Sequence, residues 1–100
     1  MEIILEKGTP NYRRYKILSK DAAGTLIAER VFADIWRIEL LKVYPERRGY
    51  GTLLLKHAMT DLHASKIVTH AITRDSANFF KKNGFVNDKG YIEHYIMLHQ

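Results

Sequence analysis

The chain has 100 residues, of which 46% are hydrophobic and 27% are charged, a balance typical of one compact domain with a single core. Cysteine is absent, which excludes a disulfide framework, a thiolate metal site and a cysteine nucleophile. The 16 Lys and Arg residues outnumber the 11 Asp and Glu residues, and the formal net charge of +5 favours an anionic ligand, either nucleic acid or a phosphorylated cofactor. We therefore expect residues 1–100 to form a single domain.

The first six residues contain two glutamates and only three consecutive apolar residues, Ile3, Ile4 and Leu5. Such a run is too short for a signal peptide or a membrane span. We expect a cytoplasmic protein without a membrane partner.

The next segments have strand character. Residues 12–19 and 25–32 are separated by a breaker segment at residues 20–24, which predicts a hairpin of two antiparallel strands. Residues 36–43 are rich in aliphatic side chains and end just before Pro45, so this segment is predicted to be a central strand.

The pattern then changes to helical spacing. Apolar residues predict a helix from Gly51 to about Ala64, at Leu54, Leu55, Ala58, Met59 and Leu62. Residues 66–72 form a short apolar segment typical of a buried strand. A strand, a helix and a strand in this order predict a parallel pair joined by a right-handed crossover.

A second, shorter helix is predicted to begin at Asp75 as its N-cap and to end at Gly84 in a left-handed conformation. Residues 85–86 should begin a strand, residues 87–90 a turn, and residues 91–98 a final strand. The sequence thus predicts an α/β fold with a single mixed, mostly antiparallel sheet, one parallel pair and two main helices.

The segment between the central strand and the first helix has features of a phosphate-binding loop. Free backbone N–H groups and the helix dipole meet at such a junction and attract anions. Gly49 and Gly51 allow close approach to the backbone, Arg47 and Arg48 add positive charge, and Thr52 adds a hydroxyl. From the loop alone, an ordinary tight turn with solvated arginines is about as good an interpretation.

Two motifs in order resemble the GNAT superfamily of acetyltransferases. The first is Leu41-Lys42-Val43-Tyr44-Pro45 followed by Gly49-Tyr50-Gly51-Thr52, similar to that family's strand and Q/R-x-x-G-x-G/A loop. The second is Phe79-Phe80-Lys81-Lys82-Asn83-Gly84-Phe85, similar to its helix ending in aromatic-x-K/R-x-G-F.

This resemblance implies an acetyl-CoA-dependent N-acetyltransferase that moves the acetyl group directly to an amine acceptor without an acyl-enzyme. It implies that the pyrophosphate and the pantetheine arm contact the following cofactor-binding residues: Leu41, Lys42, Val43, Arg47, Arg48, Gly49, Tyr50, Gly51, Thr52, Asn78 and Phe80. The main chain of residues 41–43 would pair with the pantetheine amides.

The sequence departs from the family pattern in three ways. Glu46 stands where the family has glutamine or arginine, unless the motif starts at Arg48. Phe80 stands where many members have a tyrosine that protonates the departing thiolate, so the thiolate would either leave unassisted or take a proton from water or another tyrosine such as Tyr95. Only residues 7–11 separate the first strand from Tyr12, which excludes the two helices that usually build an acceptor wall. This predicts an open acceptor groove, completed by a second subunit or suited to a large substrate.

Glu39, on the central strand, is the candidate general base for deprotonating the amine, and Asp34 is a weaker candidate. An alternating strand also needs outward polar residues, so a surface role for Glu39 stays open. His57, Asp61 and His63 have spacing that could suit a metal, but without cysteine or a third well-placed ligand we predict no metal site.

Two other functions remain open at this stage. One is a CoA-binding subunit with little turnover, suggested by Phe80. The other is a nucleic-acid-binding module, suggested by the net charge and by Tyr12-Arg13-Arg14-Tyr15, where aromatic residues flank cations. The acceptor amine is not specified, and an exposed groove makes a homodimer an open alternative.

Overall fold

The computed structural model describes residues 1–70, 73–88 and 91–95. Seven strands form one sheet in the order β1-β2-β3-β4-β5-β7-β6. The elements in chain order are β1 Glu2–Thr9, β2 Tyr12–Leu18, β3 Ala23–Phe32, β4 Ile35–Tyr44, α1 Tyr50–Leu62, β5 Lys66–Thr69, α2 Arg74–Lys82, β6 Val86–Asp88 and β7 Tyr91–Tyr95. All neighbouring strands are antiparallel except β4 and β5, which confirms the predicted mixed sheet with one parallel pair.

The hairpin between β1 and β2 closes over a two-residue turn at Pro10 and Asn11, with Thr9 opposite Tyr12. The first strand is longer than its apolar start suggested, because β2 supplies backbone partners up to Thr9. No helices lie between these strands, as expected from the short separation.

Both helices pack on the same face of the sheet. Helix α1 contacts β2, β3 and β4, and α2 contacts β6 and β7. The two helices share one apolar core with the strands, in which Tyr15, Leu26, Leu54, Leu55 and Ile67 are completely buried. The predicted helical spacing is confirmed, because Leu54, Leu55, Ala58 and Leu62 face this core.

Several predicted boundaries were wrong. Strand β3 begins at Ala23 rather than Thr25, because Ala23 already pairs with both Leu18 and Tyr44. Asn87 and Asp88 lie in β6 rather than in a turn, and β5 ends at Thr69, one residue before His70. Other predicted strand and turn residues, 71–72, 89–90 and 96–98, lie outside the described part of the chain.

The N-cap of α2 is Thr73, two residues before the predicted Asp75. The Thr73 hydroxyl accepts a hydrogen bond from the Ser76 N–H, and the Ser76 hydroxyl accepts one from the Thr73 N–H, so the two residues form a capping box. At the other end of α2, Gly84 has φ 94° and donates its N–H to Lys81. This confirms the left-handed C-terminal glycine.

Strand β4 carries a β-bulge at Glu39. Leu40 pairs with Ile27 and Ile38 pairs with Ala28, so Glu39 is an extra residue without a partner on β3. Because of this insertion, Ile38 and Leu41 both face the helices although they are three positions apart.

Strands β4 and β5 pair only briefly. Their register runs from Ile35 opposite Lys66 to Ile38 opposite Thr69, and β5 then ends. From Glu39 onward the described chain offers β4 no partner on this side. The sheet therefore opens beside the bulge.

Neither described helix is long and apolar enough to cross a lipid bilayer.

Candidate cofactor cleft

A cleft of about 750 Å³ lies where β4 ends, α1 begins and α2 begins. It continues the opening between β4 and β5. The residues that line it are Leu41, Lys42, Val43, Glu46, Arg47, Gly49, Gly51, Thr52, Thr73, Asp75, Ser76, Asn78, Phe79, Phe80 and Lys82.

The N-terminus of α1 supplies hydrogen-bond donors to this cleft. The first intrahelical bond runs from the Leu53 N–H to the Gly49 carbonyl, so the N–H groups of Tyr50, Gly51 and Thr52 have no acceptor within the helix. No side chain caps this end, and no acidic residue lies in the first turn. Such a helix start attracts an anion through its free amides and its dipole.

Gly49 shapes the approach to these amides. Its φ of 87° lies in the left-handed region, which favours glycine. A Cβ added at this position would have no atom within 4 Å, so the space in front of the helix start is open. The loop thus forms an open cradle in front of the amides.

The charges around the cleft are mixed. Lys42, Arg47 and Lys82 contribute cations, whereas Glu46 and Asp75 contribute carboxylates. Arg47 has φ 62° and its guanidinium lies 3.6 Å from the Asp75 carboxylate, with both side chains largely exposed. The pair bridges the two walls of the cleft.

Helix α2 forms the opposite wall, close to α1. A Cβ at Gly51 would lie 3.2 Å from the ring of Phe79, so glycine allows the close approach of these two helices. The Thr73–Ser76 capping box places both hydroxyl-bearing residues at the rim of the cleft.

Phe80 borders the cleft from within the core. It is 5% exposed and stacks edge-to-face with Phe79 and Phe85 at centroid distances of 5.1 Å. Its ring has no proton to donate. Tyr95, the alternative donor, ends β7, and its side chain lies outside the described part of the chain.

Glu39 lies at the bulge, two residues before the first strand residue that lines the cleft. Its Oε1 accepts hydrogen bonds from Arg37, at 2.8 Å from Nε and 2.7 Å from the terminal nitrogen. Asp34 precedes β4, at the end of the strand far from the cleft, and its carboxylate accepts a hydrogen bond from the Ser65 hydroxyl at 2.7 Å. Of the two candidate bases, only Glu39 lies near the opening in the sheet.

The structure brings most of the sequence-predicted cofactor residues together. Nine of them line the cleft, namely Leu41, Lys42, Val43, Arg47, Gly49, Gly51, Thr52, Asn78 and Phe80. Arg48 is exposed outside the lining, and the side chain of Tyr50 packs against the core.

Sequence reasoning missed the cleft positions at Thr73, Ser76 and Lys82. The Thr73–Ser76 pair departs from the usual capping-box pattern, which has Glu or Gln three residues after the cap. A search for any hydroxyl residue at that spacing would have found it.

Asp61, an exposed residue of α1, is the hydrogen-bond partner of a buried tyrosine. The Tyr15 hydroxyl donates a hydrogen bond to Asp61 Oδ2 at 2.6 Å, and Tyr15 is completely buried. The pKa of Tyr15 is raised well above its ordinary value. Burial of the side chain is the larger cause, and the hydrogen bond to the Asp61 carboxylate is the next. Among residues 1–70, 73–88 and 91–95, no group of three His, Asp or Glu side chains could hold a metal ion.

The segment Tyr12-Arg13-Arg14-Tyr15 does not form an exposed aromatic platform for nucleic acid. Tyr15 is buried, the Arg13 guanidinium lies 5.2 Å from the Trp36 ring centroid, and Arg14 forms an ion pair with Glu6 at 2.7 Å. Of the two sequence arguments for a nucleic-acid-binding module, the aromatic and cationic segment is therefore not supported, since Tyr15, Arg13 and Arg14 have partners within the fold, and the net charge of +5 is the argument that stays.

Several solved structures have a fold similar to that of this chain, and they are described as acetyltransferases. A protein described as a streptothricin acetyltransferase, from Bacillus anthracis and in complex with acetyl coenzyme A, matches with TM-score 0.78 and 19% identity, over 90% of this chain and 66% of its own. One described as a GNAT-family acetyltransferase, from Desulfovibrio desulfuricans, matches with TM-score 0.77 and 14% identity, over 87% and 70%.

A third structure, described as an acetyltransferase from Agrobacterium tumefaciens, matches with TM-score 0.67 and 15% identity, over 85% of this chain and 76% of its own. The chain thus spans between 66 and 76% of the length of these three proteins. The sequence itself matches no protein-family model and no curated protein.

Proposed function

Because the chain has the fold of the GNAT acetyltransferases, we propose that it binds acetyl-CoA in the cleft and transfers the acetyl group directly to an amine. The observation that carries this proposal is the open cradle at Gly49, where the backbone amides of residues 50–52 have no acceptor within α1 and Gly51 and Thr52 line the cleft. The structure described as an acetyltransferase in complex with acetyl coenzyme A supports the choice of ligand.

Each wall of the cleft has a role in this proposal. The amides of Tyr50, Gly51 and Thr52 bind the pyrophosphate, assisted by the charge of Arg47. At residues 41–43, β4 pairs with β3 on one side, and its other edge, where the β5 pairing has ended, offers hydrogen bonds to the pantetheine arm. The thioester would then lie near the bulge at Glu39.

Acetyl-CoA supplies an activated acetyl group, which the amine nitrogen takes from sulfur as the C–S bond breaks. Glu39 accepts the proton that the amine loses, either directly or through a water molecule, and Arg37 holds its carboxylate in place. The thiolate takes a proton from water, because Phe80 cannot donate one. The absence of cysteine favours this direct transfer over a thioester-linked enzyme.

Isothermal titration with acetyl-CoA tests the ligand. We expect Gly49→Ala to weaken binding by about tenfold or more, because its Cβ would occupy the cradle and the hydrogen bonds to charged phosphate would lengthen. Gly84→Ala is the matched control: Gly84 also has positive φ but lies at the far end of α2, so the variant should show similar backbone strain and wild-type affinity.

Two results would contradict the cleft assignment. One is the absence of heat at millimolar acetyl-CoA with the wild-type chain. The other is an equal loss of affinity in Gly49→Ala and Gly84→Ala, which would indicate a general loss of stability.

A second candidate function is cofactor binding without turnover, favoured by the buried phenyl ring of Phe80 in the cleft. Release of the CoA thiol across a panel of amines separates the two. Binding without thiol release would favour the silent subunit, whereas thiol release with any amine would favour the enzyme.

A further inference from the structure

No described helix covers the face of the sheet opposite α1 and α2. Both helices pack on the other face, where Tyr15, Ile17, Trp36 and Ile38 are buried. Alternation along the strands places Arg14 and Lys16 on the uncovered face, and the bulge places Leu40 and Lys42 there as well. We call this surface, formed by β1 to β5, the uncovered face.

The uncovered face meets the cofactor cleft at the gap between β4 and β5. The cleft on the helix side of this gap is assigned to the cofactor, so the proposed acceptor amine approaches the bulge from the uncovered face. Leu40, beside the bulge, is 41% exposed, and Tyr44, at the end of the strand, is 73% exposed. This acceptor side is therefore an open strand surface with accessible apolar side chains.

A surface of this shape suits an extended chain better than a small molecule. Small ligands are held in clefts that enclose most of their surface, whereas a flat face gives a small amine contact on one side only. A polypeptide can cross several strands and collect contacts along its length.

Charge on the uncovered face is unevenly distributed. Arg14 and Lys16 share one carboxylate, Glu6, at 2.7 and 3.5 Å, which leaves one positive charge in excess. Lys16, Thr25 and Lys42 lie side by side across β2, β3 and β4. We call Arg14, Lys16 and Lys42 the basic patch.

The region of β4 around the bulge has a different charge from the basic patch. Arg37 is bonded to Glu39, and Glu29 is its partner in the register with β3, so this region has two carboxylates for one guanidinium. An ammonium group is favoured beside the bulge, and carboxylates are favoured over the basic patch.

We propose that the acceptor is a polypeptide that lies across the uncovered face, with a primary amine at Glu39 and an acidic residue over the basic patch. This inference rests on the proposed acetyl transfer. Arg14 and Lys16 lie on β2, two strands from β4, which is about 10 Å at the spacing of strands in a sheet. An extended peptide covers this distance in about three residues. The acidic residue should therefore stand about three positions from the acetylated amine.

The test uses the full chain, acetyl-CoA and synthetic peptides whose single amine is an N-terminus in one set and a lysine side chain in another. Each set carries glutamate three positions away, six positions away or nowhere, and a small polyamine and a free amino acid are included. Binding to the CoA-loaded chain is followed by fluorescence anisotropy of labelled peptides, and turnover by release of the CoA thiol. The two peptide sets distinguish an α-amine from an ε-amine.

We expect the peptides with glutamate three positions away to have kcat/KM about tenfold above the neutral peptides. Lys16→Gln should raise KM for them about threefold with kcat unchanged, as for the loss of one exposed charge contact. The matched control Lys56→Gln, an exposed lysine on α1, should have no effect. Lys16→Glu should prefer peptides with lysine at the same position.

Three outcomes would overturn the inference. They are equal or better kcat/KM for the small amines, no preference for glutamate at three positions, and equal effects of Lys16→Gln and Lys56→Gln. If acetyl-CoA binds but no amine releases thiol, the proposed transferase activity fails, while anisotropy still decides whether acidic peptides dock at the basic patch.

Discussion

Tyr15 shows how one buried polar contact links the sheet to helix α1. Its hydroxyl is within the core and has Asp61 as its partner, so the ring fills space while the bond satisfies the polar atom. An ionised tyrosine would be desolvated next to a carboxylate, which is why its pKa is raised. The contact therefore depends on the tyrosine keeping its proton.

Tyr15→Phe tests this contact through the pH dependence of stability. At neutral pH we expect the free energy of unfolding to fall by about 1 kcal/mol, the usual net value of one hydrogen bond. Since the folded-state pKa is above the unfolded one, the stabilisation is fully present below about pH 10, the unfolded pKa, and is lost as pH rises further.

Above about pH 10 the wild type should therefore lose up to about 1.4 kcal/mol per pH unit more than Tyr15→Phe. Urea unfolding at a series of pH values measures both slopes. Tyr12→Phe, which removes a hydroxyl outside the core, is the control and should keep the wild-type slope. Equal slopes for wild type and Tyr15→Phe would contradict the assignment.

Phe80 packs in the aromatic core and also lines the cleft, at the position where a tyrosine could protonate the departing thiolate. If departure of the thiolate limits the rate, Phe80→Tyr should raise kcat by about tenfold or more while KM for acetyl-CoA stays within about twofold, because a general acid lowers the barrier without adding ground-state binding. Steady-state thiol release measures both constants.

The control for this variant is Phe85→Tyr, since Phe85 is 3% exposed in the same aromatic cluster but does not line the cleft. It should lower stability without raising kcat. An unchanged kcat in Phe80→Tyr would show that thiolate departure does not limit the rate.

At the scale of elements, α1 was predictable because the residues that determine it are close together in the sequence. The apolar spacing from Leu54 to Leu62 and the glycines of the loop both lie within a few residues of the structure they determine. Strand β3 and the start of α2 were placed less well. Ala23 joins β3 through pairing with distant strands, and Thr73 caps α2 through Ser76, a partner outside the common capping pattern.

The α2 cap gives a prediction at this scale. Thr73→Ala removes the oxygen that accepts the Ser76 N–H, so we expect the free energy of unfolding to fall by about 1 kcal/mol. Thr60→Ala is the comparison, because the Thr60 hydroxyl only bonds back to the Lys56 carbonyl within α1. Denaturant unfolding of both variants measures the difference, and an equal loss in the two would contradict the capping role.

At the scale of the molecule, the sequence predicted the sheet class, the two helices and most of the cleft, because the strand, loop and helix motifs occur in order. It could not predict the bulge at Glu39 or the early end of β5 pairing, since both depend on register between segments far apart in the chain. The loop sequence already showed one carboxylate, Glu46, beside the arginines, but it could not predict that Asp75 pairs with Arg47, because that contact depends on how α2 packs near α1.

The uncovered face is likewise a property of the assembled sheet. Its basic patch joins residues of β2 and β4 that are 26 positions or more apart in sequence, and no local pattern brings them together. The absence of helices between β1 and β2 already suggested an open groove. The structure shows which charged residues lie on that open surface.

The single extra residue at Glu39 also bears on which genetic changes this chain can tolerate. Before the bulge, Trp36 and Ile38 face the helices; after it, Leu41 and Val43 do so. Loss of the codon for Glu39 would restore plain alternation and turn either the first pair or the second pair outward. An in-frame deletion of this residue should therefore lower the stability of the fold far more than Glu39→Gln does, and selection should act on the length of this strand as well as on its composition.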